Sequence, residues 1–304
     1  MARAETDCGT VGEFGPLPLS SRVHVEFGAH CAKGTHHPVN GDHHLIARLG
    51  RSQDTLLTSL PVDVMGGRFD EYGYGMIIAD GLGSAVESEA AARTAISTLV
   101  RLLVYFGKWN LRIEDDAIEY EIKARADRFF RHVDLALHRE SRSGPLPNLQ
   151  TSLTATFGAG DQLFFAHVGH TRAYLFRDGV LTQLTRDHTI ASRRWRTSAP
   201  LVDVTVLTRD LTHFLEQTIG MSGSYGPQVD IGNFRLEDSD LILVCSNGVT
   251  DHVNEGTIAS VLASEQSVDE RARALVDLAV QAGGEDDATA LIARYGIPAE
   301  APAA

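Results

Sequence analysis

The feature that most narrows the folds open to this chain is the order of its periodic segments. Short strand-like runs come first, two long helical patterns follow, and strands then resume. Arg22–Gly28 alternates Val23, Val25 and Phe27 with polar neighbours, the period of a half-buried strand. His43–Leu49 and Gly73–Asp80 read as further strands, the second ending in the apolar Met76-Ile77-Ile78-Ala79. Ser84–Phe106 is a helical pattern rich in Ala and Leu. Asp115–Glu140 sets Ile118, Ile122, Ala126, Phe129, Phe130, Val133 and Leu137 in one stripe at helical spacing, which is core packing. Ser141-Arg142-Ser143-Gly144-Pro145-Leu146-Pro147 then breaks the helix.

Strands are expected again at Thr151–Phe157, Gln162–Val168, Arg172–Arg177, Val180–Leu184 and Asp240–Ser246. The turns Gly158–Asp161 and Asp178-Gly179 suit tight hairpins. Helices near Thr257–Ala263 and Val268–Ala282 precede a last strand, Ala288–Tyr295. A parallel α/β fold needs steady strand–helix alternation, and this order lacks it. The expectation is α+β, with antiparallel sheets covered by segregated helices. Residues 1–20 hold Gly, Pro and Ser without period, and 297–304 are Pro/Ala-rich; both are expected to be tails around one domain, 21–296.

Composition excludes some functions. A formal charge of −13 argues against nucleic acid as the partner, because phosphate backbones are held by clustered Lys and Arg. Cys8, Cys31 and Cys245 are too few and too scattered for a disulfide framework or a zinc motif, and Cys245 sits in an apolar strand as a small core residue. The first residues lack the apolar stretch of a signal peptide, and Leu99–Phe106, interrupted by Arg101, is too short to cross a bilayer. A cytoplasmic location without membrane attachment is expected.

Four short segments place acidic or amide residues beside glycine or one another at strand ends: Asn40-Gly41-Asp42, Asp80-Gly81-Leu82-Gly83, Ser246-Asn247-Gly248 and Glu285-Asp286-Asp287. A carboxylate there can point into a cleft, and glycine lets the backbone turn and free its carbonyl as a hard oxygen ligand. Carboxylates and carbonyls suit Mg²⁺ or Mn²⁺. Any one such segment is ordinarily a turn. Their order and flanks carry more. Thr151-Ser152-Leu153, Val168-Gly169-His170-Thr171-Arg172 and Leu181–His188 stand between the second and third segments, and Val249-Thr250-Asp251 and Ala288-Thr289 follow the third and fourth. In this order, from about Arg22 to Tyr295, the chain resembles the metal-dependent protein phosphatases of PPM type, the type 2C phosphatases.

The resemblance implies two antiparallel sheets packed face to face between helix pairs, a four-layer α-β-β-α sandwich, with metals in a cleft at one end. It implies one or two Mn²⁺ or Mg²⁺ ions; a pair about 4 Å apart would share a water and aim it at a phosphoserine or phosphothreonine of a protein partner. Asp80 would bridge the ions, the Gly81 carbonyl, Asn247 and Asp286 would be further ligands, and Asp42 would orient water. Several positions depart from the family pattern. Its metal-ligating Glu is Gly41 here, its Ser-Asp-Gly aspartate is Asn247, and an Asp for a third ion is His170. The Arg that grips substrate phosphate falls on His37. Each change removes charge from the site or from the substrate clamp. Among the histidines, His36, His37, His43, His44 and His170 are possible compensating ligands, although His43 and His44 alternate on a strand as one packed and one solvated residue would. His188 reads as structural. Arg193, Arg194, Trp195 and Arg196 fall in the family's variable flap, about 190–235 here, as a solvated loop or as a receptor for an acidic, phosphorylated partner.

Three functions stay open on these residues: a metal-dependent Ser/Thr phosphatase, a pseudophosphatase that binds a phosphoprotein or partner without turnover, and a hydrolase of small phosphate compounds. Asp80 and Asp286 favour the first, whereas Gly41, Asn247 and His37 favour the second.

Overall fold

The computed structural model describes residues 19–35, 38–61, 69–107, 116–192, 214–221 and 226–299. After a short 3-10 turn, Leu19–Ser21, come strands β1 (His24–Ala32), β2 (Asp42–Gln53) and β3 (Phe69–Leu82). Helices α1 (Ala85–Phe106) and α2 (Asp116–Ser143) follow. Next are β4 (Gln150–Ala159), β5 (Gln162–Val168), β6 (Arg172–Arg177), β7 (Val180–Gln183), β8 (Asp230–Arg235) and β9 (Leu241–Cys245). A single helical turn α3 (Asn247–Thr250), helices α4 (Glu255–Leu262) and α5 (Val268–Gln281), and strand β10 (Ala288–Gly296) complete the order.

The strands form two antiparallel five-stranded sheets, ordered β1-β10-β9-β6-β7 and β2-β3-β4-β5-β8. Their layering follows from the two-residue side-chain period of a strand. On β3, Met76 and Ile78 pack between the sheets, while Ile77 and Ala79 pack under α1 and α2. On β9, Ile242 and Val244 face the other sheet, and Leu241, Leu243 and Cys245 face α4 and α5. Strands covered on both faces are apolar at every position, which explains the unbroken runs in the sequence. The result is the expected α-β-β-α sandwich. The C-terminal part of the α2 stripe is core as expected, with Phe129, Phe130, Val133 and Leu137 in one cluster with Ala91, Ala92 and Ala95 of α1, whereas Ile118, Ile122 and Ala126 are only half-buried. No helix among the described residues is long and apolar enough to cross a membrane.

Local chemistry sets the joints. Ser84 caps α1 reciprocally with Glu87, and Ser267 caps α5 reciprocally with Glu270. Asp178 (φ 50°) and Gly179 (φ 80°) form the two-residue β6–β7 loop, as Asp-Gly predicts. Strand β8 was not legible in advance. Its apolar residues Ile231 and Phe234 are three apart, out of strand period, and Gly232 lies against the ring of Phe165 where a Cβ would come within 2.4 Å. Pairing with β5 and close packing make it an edge strand.

Candidate active site and metal centre

The cleft lies where strand ends from both sheets meet. Asp42 opens β2 and is paired directly with Asp80 near the end of β3, which in turn is opposite Ser152 of β4. In the other sheet, Ser246 and Asn247 follow β9, and Asp286 and Asp287 precede the neighbouring β10. The two-residue period that sends Met76 and Ile78 between the sheets carries Asp80 to the same side. Asp42 crosses the gap: its Oδ2 accepts from Ser246 Oγ and Thr289 Oγ1, each at 2.7 Å. Asp287 pins the loops beside it, accepting from the Gly34 amide at 2.8 Å and the Gly41 amide at 2.6 Å.

The cluster is strongly acidic and largely buried. Burial pushes the Asp42 carboxyl up to about 8; the Ser246 and Thr289 hydroxyls oppose the rise and the charges of Asp287 and Asp286 add to it. Asp80 is raised too, first by burial and then by Asp42, Asp286, Asp287 and Asp251. Carboxylates held together out of water favour whatever brings positive charge, a proton or a cation.

Asn247 replaces a carboxylate and changes this balance. Its Nδ2 donates to Asp286 Oδ2 at 3.1 Å and Asp251 Oδ2 at 3.0 Å. The reverse amide orientation would set its oxygen against two carboxylates, so Nδ2 must face them. Asn247 Oδ1 is then buried without a hydrogen-bond partner, as are Asp42 Oδ1 and Asp80 Oδ2. Buried polar atoms are normally satisfied. Three unpartnered hard oxygens in one cleft are what a divalent cation would satisfy. Among the described residues, no group of three or more His, Cys, Asp and Glu side chains is arranged to hold a metal by itself. The unpartnered oxygens of Asp42, Asp80 and Asn247 are of the hard type that Mn²⁺ or Mg²⁺ prefers.

The flanking motifs support this cleft. Arg172 donates to both oxygens of Asp187, at 2.9 and 2.6 Å, joining the segment around Gly169 to the one ending in His188. His170 Nδ1 lies 2.9 Å from Ser152 Oγ and 3.6 Å from Asp80 Oδ2, so this substituted position does border the acidic site. His188 is buried, packs tilted against the ring of His167 with centroids 4.9 Å apart, and accepts from the Gly169 amide, a structural role as expected.

The structure thus brings Asp42, Asp80, Gly81, Asn247 and Asp286 to one end of the sandwich. His37, with His36, lies outside the described residues, as do Arg193, Arg194, Trp195 and Arg196. His43 and His44 differ from the expected packed and solvated pair: both are half-buried, and His43 Nε2 sits 3.5 Å from Glu89 of α1. Ser246, Thr289 and Asp287 stand in the quoted segments but had no role assigned from sequence; in the structure they anchor the loops. The only sequence signal for Asp287 was its place beside Asp286, and neither neighbour is marked as the one that turns to the backbone.

The comparisons agree with this architecture. Residues 63–282 match the family model described as Protein phosphatase 2C. The chain is 31% identical over 222 residues to the serine/threonine protein phosphatase PstP of Mycobacterium tuberculosis, covering 72% of this chain but 40% of PstP. It is 29% identical over 219 residues to the serine/threonine phosphatase stp of Listeria innocua, covering 71% of this chain and 82% of that one. The S. agalactiae serine/threonine phosphatase structure superposes with TM-score 0.70 at 21% identity, covering 90% of this chain and 100% of that chain. The PstP catalytic domain, solved in complex with 2 manganese ions, gives 0.65 at 24% identity, covering 90% of this chain and 99% of that one. With the fold, the motif order and the family model in agreement, the chain belongs to the protein phosphatase 2C family.

Proposed function

We propose that residues 21–296 form a single catalytic domain that removes phosphate from phosphoserine and phosphothreonine in proteins, using water and a divalent cation. The observation that carries this is the trio of buried, unpartnered oxygens on Asp42, Asp80 and Asn247 within a phosphatase fold. Asp80, Asp286, Asn247 Oδ1 and the Gly81 carbonyl would hold Mn²⁺ or Mg²⁺. When bound, the ion supplies positive charge against phosphate oxygens and acidifies water. Asp42 would orient that water: Ser246 and Thr289 fix its Oδ2, which leaves Oδ1 to accept a hydrogen bond. In the reaction the water oxygen bonds to phosphorus and gives up one proton, the P–O bond to the side chain breaks, and the leaving oxygen gains one proton, yielding the free hydroxyl and inorganic phosphate.

A second reading has its own support. The Asn247 amide already satisfies Asp286 and Asp251 by hydrogen bonds, so these acids are held together without a metal. A pseudophosphatase that binds a phosphoprotein would use the cleft in that state. Phosphate release from phosphoserine and phosphothreonine peptides, measured with Mn²⁺, with Mg²⁺ and with chelator, separates the two. Cation-dependent release that is lost in Asp80→Asn supports hydrolysis. Silence in every condition, with phosphopeptide binding retained, supports the second reading.

A further inference from the structure

We propose that Ser88 closes a second cation position in this cleft, and that removing its side chain while adding a carboxylate at position 41 opens it. The proposal rests on the metal-dependent reading above. A Cβ built on Gly41 would lie 1.8 Å from Ser88 Oγ and 2.9 Å from Ser88 Cβ. Ser88 is 2% exposed in the first turn of α1 and fills this space. The backbone of Gly41 is not in the left-handed region, so an L side chain is excluded by the neighbour and not by φ.

Both backbones are anchored, and with the Ser88 hydroxyl rotated away its Cβ would still stand only 2.9 Å from the new one. Gly41 is held by its amide on Asp287 Oδ2 at 2.6 Å and by its carbonyl, which accepts from the Gly81 amide at 3.2 Å. The turn carrying Ser88 is fixed by the Ser84–Glu87 cap, and its main chain abuts Gly81, where a Cβ would come 2.0 Å from Ser88 O. The blocked direction runs beside Asp287 Oδ2, 3.4 Å from the built Cβ. A side chain at position 41 would thus start between Ser88 of α1 and the Asp287 carboxylate, at the edge of the acidic cluster. Asp42 and Asp287 are committed to hydroxyls and backbone amides, so a second ion on that side needs a further carboxylate. Gly41 and Ser88 therefore act as one unit: the missing carboxylate cannot be restored without vacating Ser88.

The test titrates Mn²⁺ into the chelator-stripped full chain by calorimetry, with thermal melts alongside. The wild type should bind one equivalent, and the Gly41→Glu/Ser88→Gly variant two. A folded double variant that still binds one equivalent overturns the proposal, as does a wild type that already binds two. A wild type that binds none overturns the metal-dependent reading, a distinct result. Where the double variant fails to fold, the steric cycle of Gly41→Ala and Ser88→Gly decides the matter. Gly41→Ala should lower Tm by roughly 5 °C or more in the wild-type background and much less with Ser88→Gly. Equal losses in both backgrounds would show that Ser88 is not the obstacle.

Discussion

Asn247 Nδ2 donates to Asp286 Oδ2 at 3.1 Å and so holds, by a neutral hydrogen bond, a carboxylate that a cation would otherwise hold. Asn247→Asp converts that attraction into repulsion between the introduced carboxylate and those of Asp251, Asp286 and the buried Asp80. In chelator the variant should melt several degrees below wild type, and Mn²⁺ should bind at least tenfold more tightly, about 1.4 kcal/mol. Scanning fluorimetry with and without chelator, beside calorimetry, reads both effects. A variant equally stable in chelator would show that the amide does not bridge the two acids.

Asp80→Asn should separate stability from ligation in the opposite sense. The wild-type carboxyl is buried among like charges. Its removal is expected to leave Tm in chelator unchanged or higher, while Mn²⁺ affinity falls by more than tenfold. Unchanged affinity in calorimetry would remove Asp80 from the ligand set.

Any hydrolysis should proceed faster with Mn²⁺ than with Mg²⁺. Mg²⁺ demands near-ideal octahedral oxygen ligation, whereas Mn²⁺ tolerates a depleted set and the imidazole of His170 nearby. Rates of phosphate release at saturating concentrations of each ion test this, and equal rates would count against a depleted site.

Arg172→Lys should destabilise the fold although charge is kept. The planar fork of Arg172 meets both oxygens of the half-buried Asp187 and also reaches Tyr174 OH at 3.2 Å, which an ammonium cannot reproduce. A loss of about 1–3 kcal/mol is expected from the denaturant midpoint. A cycle with Asp187→Asn should show strong coupling between the two positions.

Stability should fall on acidification through His167. This buried imidazole has its proton affinity lowered to about 3, first by burial and then by His188. Its Nε2 faces the carbonyls of Gly169 and Arg186, each at 3.1 Å, so Nε2 carries the proton and Nδ1 accepts from Thr154 Oγ1. The unfolded chain takes up a second ring proton near pH 6.5, which the folded state refuses until about 3, so the unfolded state binds more protons between these values. Stability from this group is complete above pH 6.5 and is lost as pH falls toward 3, by roughly 2–3 kcal/mol at pH 4.5. His167→Gln keeps an acceptor and a donor without titrating. Its melts should decline less steeply between pH 6.5 and 4.5 than those of the wild type.

Much of this fold was legible because its strands announce themselves chemically. Met76-Ile77-Ile78-Ala79 and Leu241-Ile242-Leu243-Val244 are apolar at every position because both faces of each strand are covered. The α2 stripe and the Asp178-Gly179 turn are likewise readable from local spacing. β8 was not, because Gly232 is there to admit the Phe165 ring from another strand. In the site, Asp42, Asp80 and Asp286 could be named from motif order, whereas the hydroxyls of Ser246 and Thr289 that orient Asp42 are 204 and 247 residues away from it in sequence.

By itself, then, the sequence determined the layer order, the family and which strand ends carry acid, since each depends on local period or on motifs read in order. Tertiary structure alone decided what those acids can do. Whether Asn247 offers an oxygen or a donor depends on Asp251 and Asp286 lying on one side of it. Whether position 41 can carry a ligand depends on a helix that begins more than 40 residues later, and on the 1.8 Å that Ser88 Oγ leaves to a Cβ there. Such distances arise only once the two sheets and α1 are packed, because no local propensity encodes the gap between backbones remote in the chain.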